Sequence, residues 1–138
     1  MGKVGASGTV AAMGIFQHVG LQGSDVAASG KFYDAVLTPL GIERKHGDDD
    51  MVVYGDWDFW VEAQQDGNGF RQSHIAFVAP SKDAVDAFQA AATAQGAEVL
   101  HPAKEWPEYV ANPETDTYYA AFVRDPDGNN VEAAYVVG

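Results

Sequence analysis

The chain contains one structural unit twice, and this internal repeat restricts its fold more than any other feature. The segment His18-Val-Gly-Leu-Gln-Gly-Ser-Asp25 can be laid on His74-Ile-Ala-Phe-Val-Ala-Pro-Ser81. In both copies a phenylalanine, Phe32 or Phe88, follows 14 residues after the histidine. Two matching halves are most simply explained by two copies of one supersecondary unit, so we predict two similar modules.

The ends of the two halves also match. Val61-Glu62-Ala63 lies on Val131-Glu132-Ala133, and the spacing from histidine to glutamate grows from 44 to 58 residues. The second copy therefore carries 14 additional residues, which fall most naturally in the proline-punctuated stretch 101–117. Long connections tend to form lids or binding loops, so we expect this stretch to cover a cleft.

Each half follows the pattern β-α-β-β-β. Short alternating, β-prone runs predict the first strand of each half, at 15–22 and 73–79. Short strand-like pieces follow at 42–45, 51–54 and 59–63 in the first half and at 98–100, 117–124 and 130–137 in the second. Ser24 and Ser81 are the expected N-caps of two helices, and Gly41 and Gly96 are expected to end them in left-handed conformations. We therefore predict an α+β fold built from two βαβββ modules.

Length and charge restrict the organisation and the partners. A chain of 138 residues has the size of one domain, with modules at about 14–66 and 70–138, preceded by a disordered extension or cloning remnant at 1–13. The formal charge of −12 repels nucleic-acid phosphates and anionic lipids. No apolar run reaches the roughly 20 residues of a membrane span, and residues 1–14 lack the apolar core of a secretory signal. We expect a cytoplasmic protein that binds neither nucleic acid nor membranes.

With no cysteine in the chain, any metal ion must be held by His, Asp or Glu. His18, His74 and Glu132 are candidates, because the residues two positions further share their strand face and are small: Gly20, Ala76 and Ala134. One strand histidine is more often structural than a ligand, whereas two at equivalent positions beside a carboxylate favour a metal. His46 and His101 have no repeat partner and are expected to be surface residues.

Three motifs carry a family resemblance: His18-Val-Gly-Leu, His74-Ile-Ala-Phe with Val85-Asp-Ala-Phe88 behind it, and Ala121-Phe-Val-Arg-Asp-Pro-Asp-Gly-Asn-Asn-Val-Glu-Ala133. They resemble the strands and final hairpin of the glyoxalase/bleomycin-resistance/dioxygenase superfamily, the vicinal oxygen chelate proteins, over about residues 14–137. The resemblance implies sheets curled into a cleft that a second subunit often completes, so we expect a homodimer. It also implies one divalent ion (Zn, Ni, Mn, Fe or Mg) with an open position for two adjacent oxygens of a small-molecule substrate.

Carried over by position, the resemblance makes His18, His74 and Glu132 metal ligands. Glu62 matches a position that can supply a fourth ligand or a base, so Glu62 and Glu132 are the candidate catalytic carboxylates. The neighbouring Trp57-Asp-Phe-Trp60 permits a one-residue register slip, which would instead leave Glu62 as an exposed strand-end carboxylate.

The ligand set alone does not name the reaction. The leading hypothesis is a glyoxalase-like lyase or isomerase that acts on a small molecule with adjacent oxygens. The alternatives are a fosfomycin-type thiol transferase, a metal-free bleomycin-type binder and a small extradiol-type dioxygenase. Substrate contacts are expected from Trp60, Trp106, Tyr109, Tyr119 and Arg71. The chain has only three arginines, which offers an anionic thiol such as glutathione few charged anchors.

Overall fold

Two βαβββ modules follow each other along the chain in a computed structural model that describes residues 16–64 and 73–138. The first module contains β1 (Val19–Gly23), α1 (Val26–Leu37), a 3-10 turn (Thr38–Leu40), β2 (Arg44–Gly47), β3 (Met51–Tyr54) and β4 (Phe59–Ala63). The second contains β5 (His74–Val78), α2 (Lys82–Ala94), β6 (Val99–Glu105), a 3-10 turn (Pro107–Tyr109), β7 (Thr117–Arg124) and β8 (Asn130–Val137). The predicted α+β fold is confirmed. The expectation for residues 1–13 lies outside the described residues.

Both sheets have the same strand order, β1-β4-β3-β2 in the first module and β5-β8-β7-β6 in the second. In each sheet the first strand pairs in parallel with the last, and the other pairs are antiparallel. The first and last strands of each module therefore lie side by side. This pairing brings the histidine at the start of each module next to the strand that carries a glutamate.

The helix ends follow the local sequence with one exception. Ser81 caps α2 by accepting from Ala84 N at 3.1 Å, but α1 is capped by Asp25 and not by the predicted Ser24. The Ser24 hydroxyl donates instead to Asp127 Oδ1 at 2.5 Å. Asp25 and Ser81 each lie seven residues after their histidine, so the two modules are in register at their beginnings.

Glycines end both helical segments as predicted. Gly41 follows the 3-10 turn after α1 with φ of 81°, and Gly96 follows α2 with φ of 78°. These left-handed conformations suit glycine because it has no Cβ.

One hydrophobic core joins the modules. Helices α1 and α2 pack against each other, and Phe59 of β4 meets Phe77 of β5 edge to face, with ring centroids 5.0 Å apart. The odd-numbered residues of β4, and those of β8 as far as Tyr135, belong to this core or pack against it. Because side chains alternate along a strand, the even-numbered residues of β4 and β8 lie on the sheet faces that point away from the core.

A buried carboxylate fixes the hairpin between β7 and β8. Asp125 is 7% exposed and accepts from the Tyr33 hydroxyl at 2.7 Å and from Asn129 Nδ2 at 2.8 Å. Burial first, and then Asp125, raise the pKa of Tyr33 well above its usual range, so the phenol stays protonated. The bond ties α1 to the final hairpin, whose turn closes at Gly128 with φ of 87°.

Strand β6 is longer than the predicted 98–100 and uses part of the stretch expected to be a loop. It continues through Pro102 to Glu105, with register irregularities around His101 and Lys104. Proline is tolerated there because β6 is an end strand of its sheet. None of the helices in the described part of the chain is long and apolar enough to cross a membrane.

Candidate functional site

We call the sheet face that carries the even-numbered residues of β4 or β8 the ligand face of its module. His74 and Glu132 lie at the centre of this face in the second module. Glu132, on β8, is 2% exposed, and its Oε1 lies 3.0 Å from Nε2 of His74. The Nδ1–H of His74 donates to the carbonyl oxygen of Asn130 at 3.2 Å. Because a carbonyl only accepts, Nε2 of the neutral ring presents a lone pair. Two electron-pair donors therefore face each other, and a proton or a cation between them stabilises this arrangement.

Tyr118 fixes the second oxygen of the same carboxylate. Its hydroxyl donates to Glu132 Oε2 at 2.5 Å. Burial first, and then this hydrogen bond, raise the pKa of Tyr118 well above its usual range, so the phenol remains a donor. Each oxygen of Glu132 thus has one defined partner, which holds Oε1 toward His74.

His18, Trp60 and Glu62 form the ligand face of the first module. The His18 ring stacks on Trp60 with centroids 4.7 Å apart and planes at 21°. Its Nδ1–H donates to the side-chain oxygen of Gln17 at 2.5 Å, so Nε2 presents a lone pair, as in His74. The indole N–H of Trp60 donates to Glu62 Oε1 at 3.1 Å. The carboxylate of Glu62 is therefore held by the indole.

The strand registers correct the repeat alignment of the two glutamates. Gly20 of β1 lies opposite Trp60 of β4, whereas Ala76 of β5 lies opposite Glu132 of β8. Gly20 and Ala76 are equivalent, since each is two residues after its histidine. Trp60 therefore occupies the position equivalent to Glu132, and Glu62 lies two residues further on the same face. The match of Glu62 with Glu132 was wrong by two residues, a shift that keeps Glu62 on the ligand face.

Five aromatic rings contact one another on the β7 side of Glu132, and we call them the aromatic wall: His101, Trp106, Tyr109, Tyr118 and Phe122. Tyr118 and Phe122 are the two that adjoin Glu132 directly. Trp106 stacks on Tyr109 with centroids 5.5 Å apart and meets Phe122 edge on at 5.4 Å. Phe122 in turn stacks against His74 at 6.0 Å. Trp106 is 7% exposed, whereas Tyr109 is 54% exposed. The predicted pocket residues Trp106 and Tyr109 thus lie in the same cluster as His74, with Tyr109 at its open side.

Tyr119 was predicted to line the pocket, but the structure places it on the face of β7 opposite to Tyr118. Its hydroxyl donates to Asp86 Oδ1 on α2 at 2.7 Å, and its ring packs against the core. Alternation along β7 gives the ligand face to Tyr118 instead. Arg71, the remaining pocket prediction, lies outside the described residues.

Tyr118, Phe122 and His101 were missed by the sequence reasoning. The turn at residues 125–128 pairs Phe122 with Glu132, so counting in steps of two from Phe122 would have found Tyr118. His101 is exposed, as expected of a surface residue, but its ring also makes edge contacts with Trp106 and Phe122 at 5.3 and 5.4 Å. That contact follows from the added length of β6, which the sequence did not reveal.

The four predicted ligands fall into two pairs on two sheets. Within residues 16–64 and 73–138 of one chain, no three His, Asp or Glu side chains come together as a group that could hold a metal ion. His74 and Glu132 do meet, and His18 and Glu62 share contacts with Trp60. The pair His74–Glu132 fits a divalent ion, because an imidazole and a buried carboxylate converge and both are held by further hydrogen bonds.

Comparison with protein families gives one match. The family model of the Glyoxalase/Bleomycin resistance protein/Dioxygenase superfamily matches residues 15–133. A search of curated proteins found no match.

Solved structures of the same family share the fold. A glyoxalase/bleomycin resistance protein from Albidiferax ferrireducens T118 is 30% identical, with a TM-score of 0.77 over 88% of this chain and 99% of that chain. Lactoylglutathione lyase from Agrobacterium tumefaciens is 24% identical, with a TM-score of 0.63 over 90% and 94%. A glyoxalase-related enzyme from Fulvimarina pelagi is 19% identical, with a TM-score of 0.66 over 89% and 88%.

Proposed function

Because the chain belongs to the Glyoxalase/Bleomycin resistance protein/Dioxygenase superfamily, we propose that it is a metal-dependent enzyme of the vicinal oxygen chelate type. Its substrate is a small molecule with two adjacent oxygens. The observation that carries this proposal is the convergence of His74 Nε2 and Glu132 Oε1 at 3.0 Å on a carboxylate that is 2% exposed. A buried carboxylate without compensating charge is costly, and a divalent ion supplies that charge.

We propose that the ligand set is completed in a homodimer. The ligand faces of both sheets point away from the core of one chain, and β1 and β5 are end strands of their sheets. On the same face of β5 and β8, four residues along each strand from His74 and Glu132, the second sheet exposes apolar side chains, with Val78 82% and Val136 54% exposed. A second copy that covers this surface would bring its own His18 toward His74 and Glu132. Because a two-fold interface is symmetric, the dimer would contain two such sites.

The reaction class that we propose is a glyoxalase-like proton transfer, as in a lyase or isomerase. When bound, the ion would stabilise negative charge on the two adjacent substrate oxygens. His18, His74 and Glu132 would hold it, and Tyr118 would keep Glu132 oriented. Glu62 would act as the base that moves the proton, since its carboxylate lies on the ligand face. The aromatic wall would pack against the apolar part of the substrate and exclude water.

A metal-free binder is the second candidate, favoured by the aromatic wall itself. Stacked rings such as Trp106 and Tyr109 can hold a planar ligand without an ion. In that case a proton, in place of a metal ion, lies between His74 Nε2 and Glu132 Oε1.

Elemental analysis of protein purified without chelator separates the two candidates. A metalloenzyme should carry a stoichiometric divalent ion that is lost in His74→Ala and in Glu132→Ala. The matched control is His46→Ala, because His46 contacts Asp48 and Trp57 away from the proposed site. Wild-type protein without an ion, even after incubation with Zn²⁺, Ni²⁺, Mn²⁺ and Fe²⁺, would contradict the enzyme proposal and favour the binder.

A further inference from the structure

Trp60 stands where the repeat would place a second carboxylate ligand. The equivalent position in the second module is Glu132, and both residues lie opposite the small residue that follows the histidine by two positions. An indole ring has no lone pair available for a metal ion, because its nitrogen is a donor only. At equivalent positions, the first module therefore supplies one candidate ligand, His18, whereas the second supplies two, His74 and Glu132.

Trp60 is held firmly by its neighbours. Its ring is stacked on His18 at 4.7 Å, and its N–H is bonded to Glu62 Oε1 at 3.1 Å. A Cβ added to Gly20 would come within 2.6 Å of the indole nitrogen, so the glycine gives the ring its space. His18, Glu62 and Gly20 thus all pack against the Trp60 side chain.

The position of Glu62 favours a role as a base and not as a metal ligand. Two residues along a strand move the Cα of Glu62 by about 7 Å from the position that is equivalent to Glu132. The hydrogen bond to Trp60 also directs Oε1 of Glu62 toward the indole nitrogen. The Glu62 carboxylate therefore stays on the ligand face, and its bond to Trp60 holds it away from the position that a fourth metal ligand would occupy.

We propose that Trp60 is a positioning residue that orients the His18 imidazole by stacking and holds Glu62 outside the metal shell as a separate carboxylate. This inference rests on the proposed function, because it concerns the same ion site. It assigns the shell two histidines and one glutamate, His18, His74 and Glu132. Such a shell leaves more coordination positions open for substrate oxygens than a shell with four protein ligands.

Titration with Co²⁺ tests this assignment without a substrate, since both the Kd and the visible absorption of Co²⁺ report its ligands. We expect Glu132→Gln to weaken Co²⁺ binding at least about 100-fold, and Glu62→Gln to change it less than about threefold with an unaltered spectrum. We expect Trp60→Ala to weaken binding about 10-fold or more and Trp60→Phe to restore it, because phenylalanine keeps the stacking. Trp57→Ala is the matched control, since it removes the other His–Trp stack, on His46.

Gly20→Ala provides a second route if Trp60→Ala does not fold. The added methyl should displace the indole and weaken Co²⁺ binding in the same direction. The inference is overturned if Glu62→Gln loses Co²⁺ as Glu132→Gln does or changes the spectrum. It is also overturned if Trp60→Ala, or Gly20→Ala in its place, binds Co²⁺ like Trp57→Ala. A wild-type protein that binds no Co²⁺ overturns the proposed function as well, so the two failures are distinguishable.

Discussion

Tyr118 and Glu132 are joined by a hydrogen bond of 2.5 Å across adjacent strands, and this bond fixes the orientation of the carboxylate relative to His74. The phenol occupies Oε2, which leaves Oε1 directed at the imidazole at 3.0 Å. Hydrogen-bond partners of metal ligands of this kind tune both the orientation and the affinity of the ligand. Tyr118 is thus the supporting residue of the proposed ion site.

Removing this support should weaken metal binding. We expect Tyr118→Phe to lower the affinity for Zn²⁺ or Ni²⁺ by about 10- to 100-fold, because the carboxylate loses its fixed orientation. Isothermal titration calorimetry measures the change. Tyr119→Phe is the matched control, since its hydroxyl contacts Asp86 on the opposite face, and it should bind like wild type. Equal affinities for the two variants would contradict the supporting role.

The exposed apolar surface beside β5 should be the dimer interface. Sedimentation of the wild type at micromolar concentration should give twice the chain mass of 14.7 kDa. We expect Val78→Asp to produce monomers, because a charge buried in an interface without a partner is costly. Ala90→Asp, on the exposed side of α2, is the control and should remain dimeric. A wild type that sediments as a single chain would remove the basis for a site shared between subunits.

The Asp125 network should contribute strongly to stability. Asp125→Ala would leave the buried Tyr33 hydroxyl and the Asn129 amide without their acceptor, at a cost of about 3 kcal/mol in the free energy of unfolding. Asp49→Ala, in the exposed acidic turn, should change stability by less than about 0.5 kcal/mol. Urea denaturation measures both. If the two variants unfolded at the same urea concentration, the network would be dispensable.

The aromatic wall should favour chelators with an aromatic group. Acetohydroxamic and benzohydroxamic acid present the same two adjacent oxygens and differ in a methyl or phenyl group. We expect the Zn²⁺-loaded protein to bind the phenyl compound about 5-fold more tightly, since a stacked ring contributes about 1 kcal/mol. Tyr109→Ala should remove most of that preference without loss of stability, because Tyr109 is 54% exposed. Equal affinity of the wild type for both compounds would contradict this role of the wall.

Much of the fold could be predicted from the sequence, because each strand and helix end has a local sequence pattern of its own. Alternation and short β-prone pieces predicted a strand near each of the eight that residues 16–64 and 73–138 form, and Gly41 and Gly96 marked the helix ends where the structure has positive φ. The register of β4 was not readable, because it depends on the turn before it, in which Trp57 adopts a φ of 63° that is uncommon for a residue with a side chain. No local pattern indicated that conformation.

The candidate site was readable in part for the same reason. Strand parity places Glu132 and His74 on one face, and the structure brings them together. Which of Tyr118 and Tyr119 shares that face depends on the pairing of β7 with β8, a non-local property. The relation between His18 and His74 depends on how the two sheets pack, which alternation within one strand does not encode.

Mixed dimers test the shared ion site most directly. His18→Ala and His74→Ala chains, each unable to complete a site alone, can be unfolded together, refolded and analysed by native mass spectrometry in the presence of Zn²⁺. If each site takes His18 from one subunit and His74 from the other, the mixed dimer should bind one ion, since one of its two sites keeps both histidines. The wild-type dimer should bind two. A mixed dimer that binds no ion, beside a wild type that binds two, would contradict the shared site and place all ligands within one chain.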